Sequence, residues 1–293
     1  MKNNISSLND LKLFFLSLIA LFCLSLNSIF CRYAMSNELI DSFSFTSFRL
    51  FFGSITLILM VLIKRKKLEI NLKTNWLSSF MLFLYAIAFS YAFLNIDAGL
   101  GTLLLFTVVQ MVMIVFSFFY KEKINFQKII GIVLALFGLA YLLYPKESFE
   151  VSLFHGFLMI IAGTSWAVYT VLGKKSSDSL HNTMDNFTKS LVFVLVFYLI
   201  FSPNDTFIKQ EGILIAFISG SFTSAIAYVL WYEILPKMQF ITAGIIQLFV
   251  PIISIIISII FLDELLTNTL LLSSVMIFLG IIITIFSRKA KSI

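Results

Sequence analysis

A single arginine lies inside an apolar stretch of this sequence, and its side chain could bind an anion. Arg49 follows Thr46 and Ser47, about six residues into the run Phe43–Ile63. A guanidinium that faces a cavity can bind a carboxylate or a phosphate through two parallel hydrogen bonds. The alternative is an arginine whose head reaches the membrane interface or caps the helix. The sequence leaves both interpretations open, and Lys189 lies at a loosely equivalent place in a later run.

Amide and aromatic side chains occur at matching places in the two halves of the chain. Asn27 and Tyr169 are 142 residues apart, and Trp166 precedes Tyr169 by three residues, which places the two rings on one helix face. Such a pair in a cavity would suit an apolar or cationic part of a ligand, whereas ordinary packing is the alternative. Gln110 and Gln247 lie in apolar runs, where they need partners from protein or ligand because lipid offers none.

Three further aromatic residues are candidates for the same substrate site: Tyr91, Tyr228 and Trp231. Trp231 could equally belong to the aromatic belt at the membrane interface. Pro251, four residues after Gln247, removes a helical hydrogen bond and so predicts a kink. The kinked helix could line the transport pathway. The alternative is a static kink whose free backbone carbonyl is satisfied by neighbouring residues.

Acidic residues are absent from the middle third of every apolar run. Glu122 and Glu264 lie at the ends of runs, where interfacial pairing or helix capping is the expected role. The sequence therefore favours a facilitator or an exchanger over a carboxylate-based proton relay. Cys23, Cys31 and two distant histidines have no metal-site spacing. We expect no metal, no cofactor and no catalytic residues.

These residues must be positioned by membrane helices, because the chain is 60% hydrophobic and only 12% charged, whereas about 25% of residues in soluble domains are charged. Ten apolar runs are long enough to cross a hydrocarbon core of about 30 Å. The predicted spans are Leu13–Cys31, Phe43–Ile63, Trp76–Leu94, Ala98–Phe119, Phe126–Tyr144, Phe154–Leu172, Phe187–Phe201, Gly212–Tyr232, Phe240–Leu262 and Thr269–Ser287. The predicted fold class is an all-α polytopic membrane protein.

The distribution of basic residues predicts the orientation. With the N-terminus in the cytoplasm, 17 of the 21 Lys and Arg residues fall in cytoplasmic segments and three in outer segments. Such a bias is typical of the positive-inside rule, and it places both termini in the cytoplasm. We expect a multi-pass protein of the bacterial cytoplasmic membrane. The net charge of +6 then reflects topology and does not indicate a nucleic-acid partner.

The chain repeats itself at a spacing of 142 residues. This offset relates Arg32 to Lys174, Glu122 to Glu264, and Gly138 to Gly280. The repeat predicts two five-helix halves, 1–145 and 146–293. Because five is odd, the second half enters the membrane inverted, as in carriers that work by alternating access with a site near the midplane.

Two other classes of protein fit less well. A polytopic membrane enzyme would need a catalytic motif, and the sequence contains no H-E-x-x-H or G-x-S-x-G. A channel usually forms its pore from a ring of subunits or of carbonyl groups, whereas an internal inverted repeat forms a pathway within one chain. The repeat therefore favours a carrier over a channel or a purely structural membrane protein. The expected partners are a small-molecule substrate and membrane lipid, and the protein would act as a monomer or a homodimer.

Several segments resemble the EamA branch of the drug/metabolite transporter superfamily. They are Leu82–Phe93 and Ala98–Gln110 in the first half, and Trp231–Pro236 and Ala243–Pro251 in the second. The segment Leu24–Ser28 departs from the common Trp-Gly pair of the family, although Trp166 keeps an aromatic in the second half. The resemblance implies two five-helix inverted repeats around a central cavity. It also implies transport of small metabolites, often amino acids or related solutes, and frequently outward.

Overall fold

A computed structural model of the protein describes residues 2–68, 73, 75–120, 126–143, 152–174, 176–203 and 206–286. Within these residues the regular elements are helical, apart from one isolated bridge between Ile40 and Ile208. The first half contains α1 Lys2–Ser36, α2 Ser42–Arg65, α3 Trp76–Ala92, α4 Ala98–Phe119 and α5 Phe126–Leu143. The second contains α6 Leu153–Gly173, α7 Ser179–Phe201, α8 Gln210–Ile218, α9 Ala227–Ile234, α10 Phe240–Gln247, α11 Phe249–Phe261 and α12 Asn268–Phe286.

The helices form a multi-pass membrane bundle. Six elements are long and apolar enough to cross a membrane by length and composition, and four more apolar helices are shorter. Each of these ten overlaps one of the ten predicted runs. A π-helical segment, Ser219–Ile226, joins α8 to α9 in one continuous element. The boundary between the predicted halves, at residues 145 and 146, lies outside the described residues, as does Glu122.

The first helices of the two halves run in opposite directions. Arg32, near the end of α1, donates hydrogen bonds to the carbonyls of Phe93 and Leu94 in the α3–α4 loop. In the same loop, Asn95 lies 2.9 Å from His155 at the beginning of α6. The end of α1 and the start of α6 therefore lie at the same end of the bundle, which we name the Arg32 end. This arrangement agrees with an inverted repeat.

Helix α7 begins eight residues before the predicted span. The prediction of Phe187 as its start was wrong because hydropathy misses the polar turns that precede it. The side chain of Asp178 caps the helix by accepting a hydrogen bond from the backbone N–H of His181 at 3.1 Å. Asp185 and Lys189 are then buried within the helix and pair with each other. We name this opposite end of the bundle the Asp185 end.

The predicted ninth span is broken into α10 and α11 at Leu248, three residues before Pro251. Proline lacks the N–H that would bond to the preceding turn, so a break near this position is expected. The hydroxyl of Ser25 on α1 donates to the carbonyl of Val250 at 3.1 Å. This bond connects α1 of the first half to the first turn of α11, next to the break.

A polar network closes the Arg32 end. Arg32 forms an ion pair with Asp97 at 3.0 Å. Glu264 accepts hydrogen bonds from the backbone N–H groups of Ala98 at 2.6 Å and Gly99 at 3.1 Å. These groups belong to the first turn of α4, where a carboxylate is favoured by the helix dipole. The network connects α1, α4 and the α11–α12 loop, and so holds the two halves together.

The stability of this network should fall as the pH rises. Burial raises the pKa of the Glu264 carboxyl above its ordinary value of 4.5, although the bonds from Ala98 and Gly99 lower it in part. The folded state therefore favours the protonated acid, and that contribution is lost as the pH rises through the folded pKa. Thermal unfolding of wild type and Glu264→Gln across pH 4–8 tests this. We expect the wild type to lose stability relative to the variant as the pH rises, and parallel curves would contradict the assignment.

Candidate functional site

Arg49 on α2 is fully buried, and its charge has no counter-ion in the part of the chain that the structure describes. None of its three guanidinium nitrogens makes a hydrogen bond of ordinary length and angle within the described residues, although the phenol of Tyr85 lies close enough to interact with the guanidinium. Its Cζ lies 5.2 Å from the ring centre of Tyr85 and 5.3 Å from that of Phe89. Such cation–π contacts contribute about 0.5–2 kcal/mol, whereas an isolated buried charge costs several kcal/mol. The two rings therefore do not offset the cost of burying this charge.

A hydrogen-bonded network beside Arg49 centres on Asn27 of α1. The Asn27 amide nitrogen donates at 3.4 Å to the hydroxyl of Tyr85 and at 3.4 Å to the hydroxyl of Tyr228. Its amide oxygen accepts from the hydroxyl of Ser219 at 2.6 Å. Asn27 thus joins α1 to α3, α9 and the π-helical segment at the centre of the bundle.

An aromatic wall completes the site. The ring centre of Trp166 lies 5.0 Å from that of Tyr85, 4.7 Å from that of Tyr228 and 5.6 Å from that of Tyr169. Its indole N–H donates to the amide oxygen of Gln247 at 2.6 Å. The proline break leaves Gln247 as the last residue of α10, so this bond fixes the end of α10 against α6.

Both halves contribute to this central cluster, which we define as Asn27, Arg49, Tyr85, Trp166, Tyr169, Tyr228 and Gln247. The first half supplies the cation, one amide and one phenol from α1, α2 and α3. The second half supplies three aromatic rings and the other amide from α6, α9 and α10. Every member is buried, so a ligand would enter only when the helices or their side chains move.

The cluster brings together six of the nine site residues proposed from sequence: Asn27, Arg49, Trp166, Tyr169, Tyr228 and Gln247. The other three are not among its members. Gln110 on α4 packs against Gly244, and its amide oxygen has no partner within the described residues. Tyr91 is half-buried towards the Arg32 end of α3. Trp231 is fully buried on α9, three residues beyond Tyr228.

Tyr85 was left out of the proposed site, although it contacts more members of the cluster than Tyr91 does. One signal in the sequence points to it, because Tyr85 and Tyr228 are 143 residues apart, almost the repeat spacing. Their hydroxyls lie 3.3 Å from each other. The contact of Ser219 with Asn27 depends on the π-helical segment, which the sequence pattern did not predict. Such segments occur often at functional sites.

Comparison with known proteins identifies a family. The family model described as the EamA-like transporter family matches residues 11–144 and 153–286. An uncharacterized protein of Pseudomonas aeruginosa is 32% identical over 97% of this chain and 98% of its own length. An uncharacterized transporter of Bacillus subtilis is 28% identical over 85% of this chain and 89% of its own. A protein of Escherichia coli named a probable amino-acid metabolite efflux pump is 24% identical, covering 79% of this chain and 83% of that one.

A solved crystal structure has the same fold. It superposes with a TM-score of 0.70 and covers 92% of this chain and 98% of its own, at 14% sequence identity. At that identity the likeness concerns the arrangement of the helices alone.

Proposed function

We propose that this chain, which belongs to the EamA-like transporter family, is a secondary transporter that exports a small carboxylate-bearing metabolite, an amino acid or a related solute. The observation that carries this proposal is the fully buried guanidinium of Arg49, which has no ion pair within the described residues. Charged side chains inside a membrane usually face a pathway and pair with a partner. Here the partner that Arg49 lacks among the described residues would be the carboxylate of the substrate.

The surroundings of Arg49 favour a molecule with two chemical ends. A carboxylate would accept two parallel hydrogen bonds from the guanidinium. The amides of Asn27 and Gln247 and the phenols of Tyr85 and Tyr228 could bind further polar groups such as an amine. The indole of Trp166 and the ring of Tyr169 offer apolar surface to a side chain. A simple inorganic anion would leave this second part of the cluster unused.

Membrane topology and mechanism follow from the same architecture. We propose ten membrane crossings with both termini in the cytoplasm, because 17 of the 21 basic residues then lie on the cytoplasmic side. The Arg32 end would face outward and the Asp185 end inward. Alternating access would open one end at a time and expose the central cluster to each side in turn. The name of the Escherichia coli relative supports the amino-acid class and the outward direction.

A rival assignment is a carrier for amines, which would use the aromatic wall alone. Rings of Trp and Tyr bind cations, and four of them meet in the cluster. However, a cationic ligand would then lie beside the positive charge of Arg49, which repels it in a medium of low dielectric constant. The carboxylate assignment uses both features, whereas the amine assignment conflicts with one of them.

Thermal-shift measurements on the detergent-purified protein distinguish the two. We would test L-alanine, L-leucine, L-glutamine and L-phenylalanine, each beside its primary amide and its decarboxylated amine. A ligand at about 100-fold its Kd stabilises by about 2.7 kcal/mol. We expect at least one acid to stabilise the protein and its amide and amine to fail. An amine that stabilises as strongly as its parent acid would favour the rival, and no response to any acid would contradict the proposal.

A further inference from the structure

The hydrogen bonds of the central cluster have a direction, and Ser219 sets it. The hydroxyl of Ser219 lies 2.6 Å from the side-chain oxygen of Asn27. The oxygen and nitrogen of an amide are told apart by their partners. Bonds between two oxygen atoms are about 2.5–3.0 Å long, whereas N–H···O bonds are about 2.7–3.2 Å long. The short contact therefore identifies the atom that faces Ser219 as the amide oxygen, and the amide nitrogen points the other way.

The amide nitrogen of Asn27 donates to two phenols of the cluster. It lies 3.4 Å from the hydroxyl oxygen of Tyr85 and 3.4 Å from that of Tyr228. Each phenol therefore accepts from Asn27 and keeps its own hydrogen to donate. The two hydroxyls lie 3.3 Å apart, with Tyr228 as the donor and Tyr85 as the acceptor. The hydrogen of Tyr85 is then left without an acceptor among the residues that the structure describes.

Arg49 adds further donors at the same place. Its Cζ lies 5.2 Å from the ring centre of Tyr85, and the phenol is close enough to interact with the guanidinium. A guanidinium donates and never accepts. The phenol oxygen of Tyr85 has lone pairs for two donors, whereas Asn27, Tyr228 and Arg49 all offer one. This part of the cluster therefore holds more donors than acceptors, and a ligand that brings only acceptors would restore the balance.

The π-helical segment Ser219–Ile226 explains how Ser219 and Tyr228 both reach Asn27. The two residues are nine positions apart in one continuous element. In an α-helix this spacing is about two and a half turns, so the two side chains would point to opposite sides. The wider turns of the π-helical segment between them change that angle. Both side chains then contact the same amide, which gives the segment a role in the site.

We propose that the hydroxyl of Tyr85 donates to the carboxylate of the substrate beside Arg49, and that Ser219 is the positioning residue that keeps this hydroxyl a donor. The inference rests on the proposed function and deepens it, because it assigns one phenol of the cluster to the carboxylate itself. An ionised carboxylate has only acceptors, so it can accept from the guanidinium and from the phenol together. An ammonium has only donors and would add to the surplus.

The alternative is that Asn27 and Ser219 only tie the helices together. Asn27 connects α1 to α3, α9 and the π-helical segment, and loss of such a tie would weaken the protein and its affinity for any ligand. In that case the effects of removing Ser219 and Tyr85 would be independent of each other. If both act through the same phenolic hydrogen, the second substitution has nothing left to remove. This difference makes the two interpretations separable.

A double-mutant cycle on the detergent-purified protein tests the inference. The Kd values of L-alanine, L-leucine, L-glutamine and L-phenylalanine are measured by thermal-shift titration. We expect Tyr85→Phe to raise the Kd of a bound acid about tenfold or more, as for the loss of a hydrogen bond to a charged group. Ser219→Ala no longer holds the Asn27 amide, whose oxygen can then turn to accept the phenolic hydrogen, so the Kd should rise similarly. The double variant should have the Kd of Tyr85→Phe.

Two substitutions serve as matched controls for the cycle. Ser221→Ala removes a hydroxyl from the same π-helical segment, where it accepts from Thr56 at 2.9 Å. Tyr33→Phe removes a phenol from α1 that is 40% exposed. Neither should change the Kd of the acids. Losses that multiply in the double variant of Ser219 and Tyr85 would overturn the inference while leaving the proposed function in place.

Asn27→Asp, measured in the same titrations, reverses the balance of donors and acceptors. The new carboxylate accepts from Ser219 and from both phenols, and it brings a negative charge to the cluster of Arg49. We expect binding of the acids to be lost, with an unfolding temperature without ligand no lower than that of the wild type. Acid binding as strong as in the wild type would contradict the inference. If no acid stabilises the wild type, the proposed function fails and this inference falls with it.

Discussion

Arg49→Met is expected to abolish binding of carboxylate solutes while leaving the substrate-free protein at least as stable as the wild type. Replacing a buried ion pair by apolar side chains of similar volume is often neutral or stabilising, by about 1–4 kcal/mol, and we expect the same direction for Arg49, which has no ion pair to lose within the described residues. Loss of the charge should cost the bound state about 2–5 kcal/mol, the usual effect of removing one partner from a buried pair. Thermal unfolding with and without the amino acids measures both quantities on one sample.

The opposite signs of these two effects separate binding from structure. A structural Arg49 that caps a helix or anchors it at the interface would lose stability on substitution, with or without ligand. Arg49→Lys is the matched control, because lysine keeps the charge but lacks the planar fork that binds both carboxylate oxygens. We expect it to bind more weakly than the wild type and more strongly than Arg49→Met. Lower stability of Arg49→Met without ligand would assign the residue a structural role.

Gly220→Ala is expected to disrupt both folding and binding. A Cβ at Gly220 in the π-helical segment would lie 2.3 Å from the backbone carbonyl oxygen of Arg49. A backbone atom cannot rotate away, so α2 and the π-helical segment must separate. Overpacking of this kind costs about 1–3 kcal/mol, and occasionally more. The separation would also shift Arg49 from the rings of Tyr85 and Phe89, and the affinity for carboxylates should fall with the stability.

Gly101→Ala is the matched control for this change. There an added methyl group would meet the side-chain ends of Phe93 and Met159 at 2.6 and 2.8 Å. The Met159 side chain is flexible and can move, and the site is not part of the central cluster. We expect a smaller loss of thermal stability and no loss of affinity. Equal effects of the two substitutions on affinity would show that Gly220 does not position Arg49.

The positions of the apolar helices could be predicted from sequence because long apolar runs leave few alternatives. Hydropathy fails where polar residues are buried by pairing with one another. The start of α7 is an example. Asp185 and Lys189 have the polar composition that is typical of a loop, and only the contact between them explains why they are buried in a helix. The break at Leu248 was indicated by Pro251, but the π-helical segment has no comparable signal.

The members of the central cluster could be predicted only where the repeat or the cost of burial singled them out. Arg49, Asn27 and Gln247 stand out as polar groups in apolar runs. Among many aromatic residues, however, the sequence did not separate Tyr85, which lies in the cluster, from Tyr91, which lies near the end of the same helix. That choice depends on the rotation of α3 about its axis, which is set by packing against α6 and α7.

The division of the central cluster between two oppositely directed halves has a consequence for the history of the gene. Neither half alone holds the whole cluster, since the cation comes from one and most of the aromatic wall from the other. A five-helix ancestor would have needed two copies, inserted in opposite orientations, to form one site. Fusion of duplicated genes removes that requirement by fixing one copy in each orientation, and it frees the two copies to diverge. A single cation, supplied by only one half of the cluster, is what such divergence would allow.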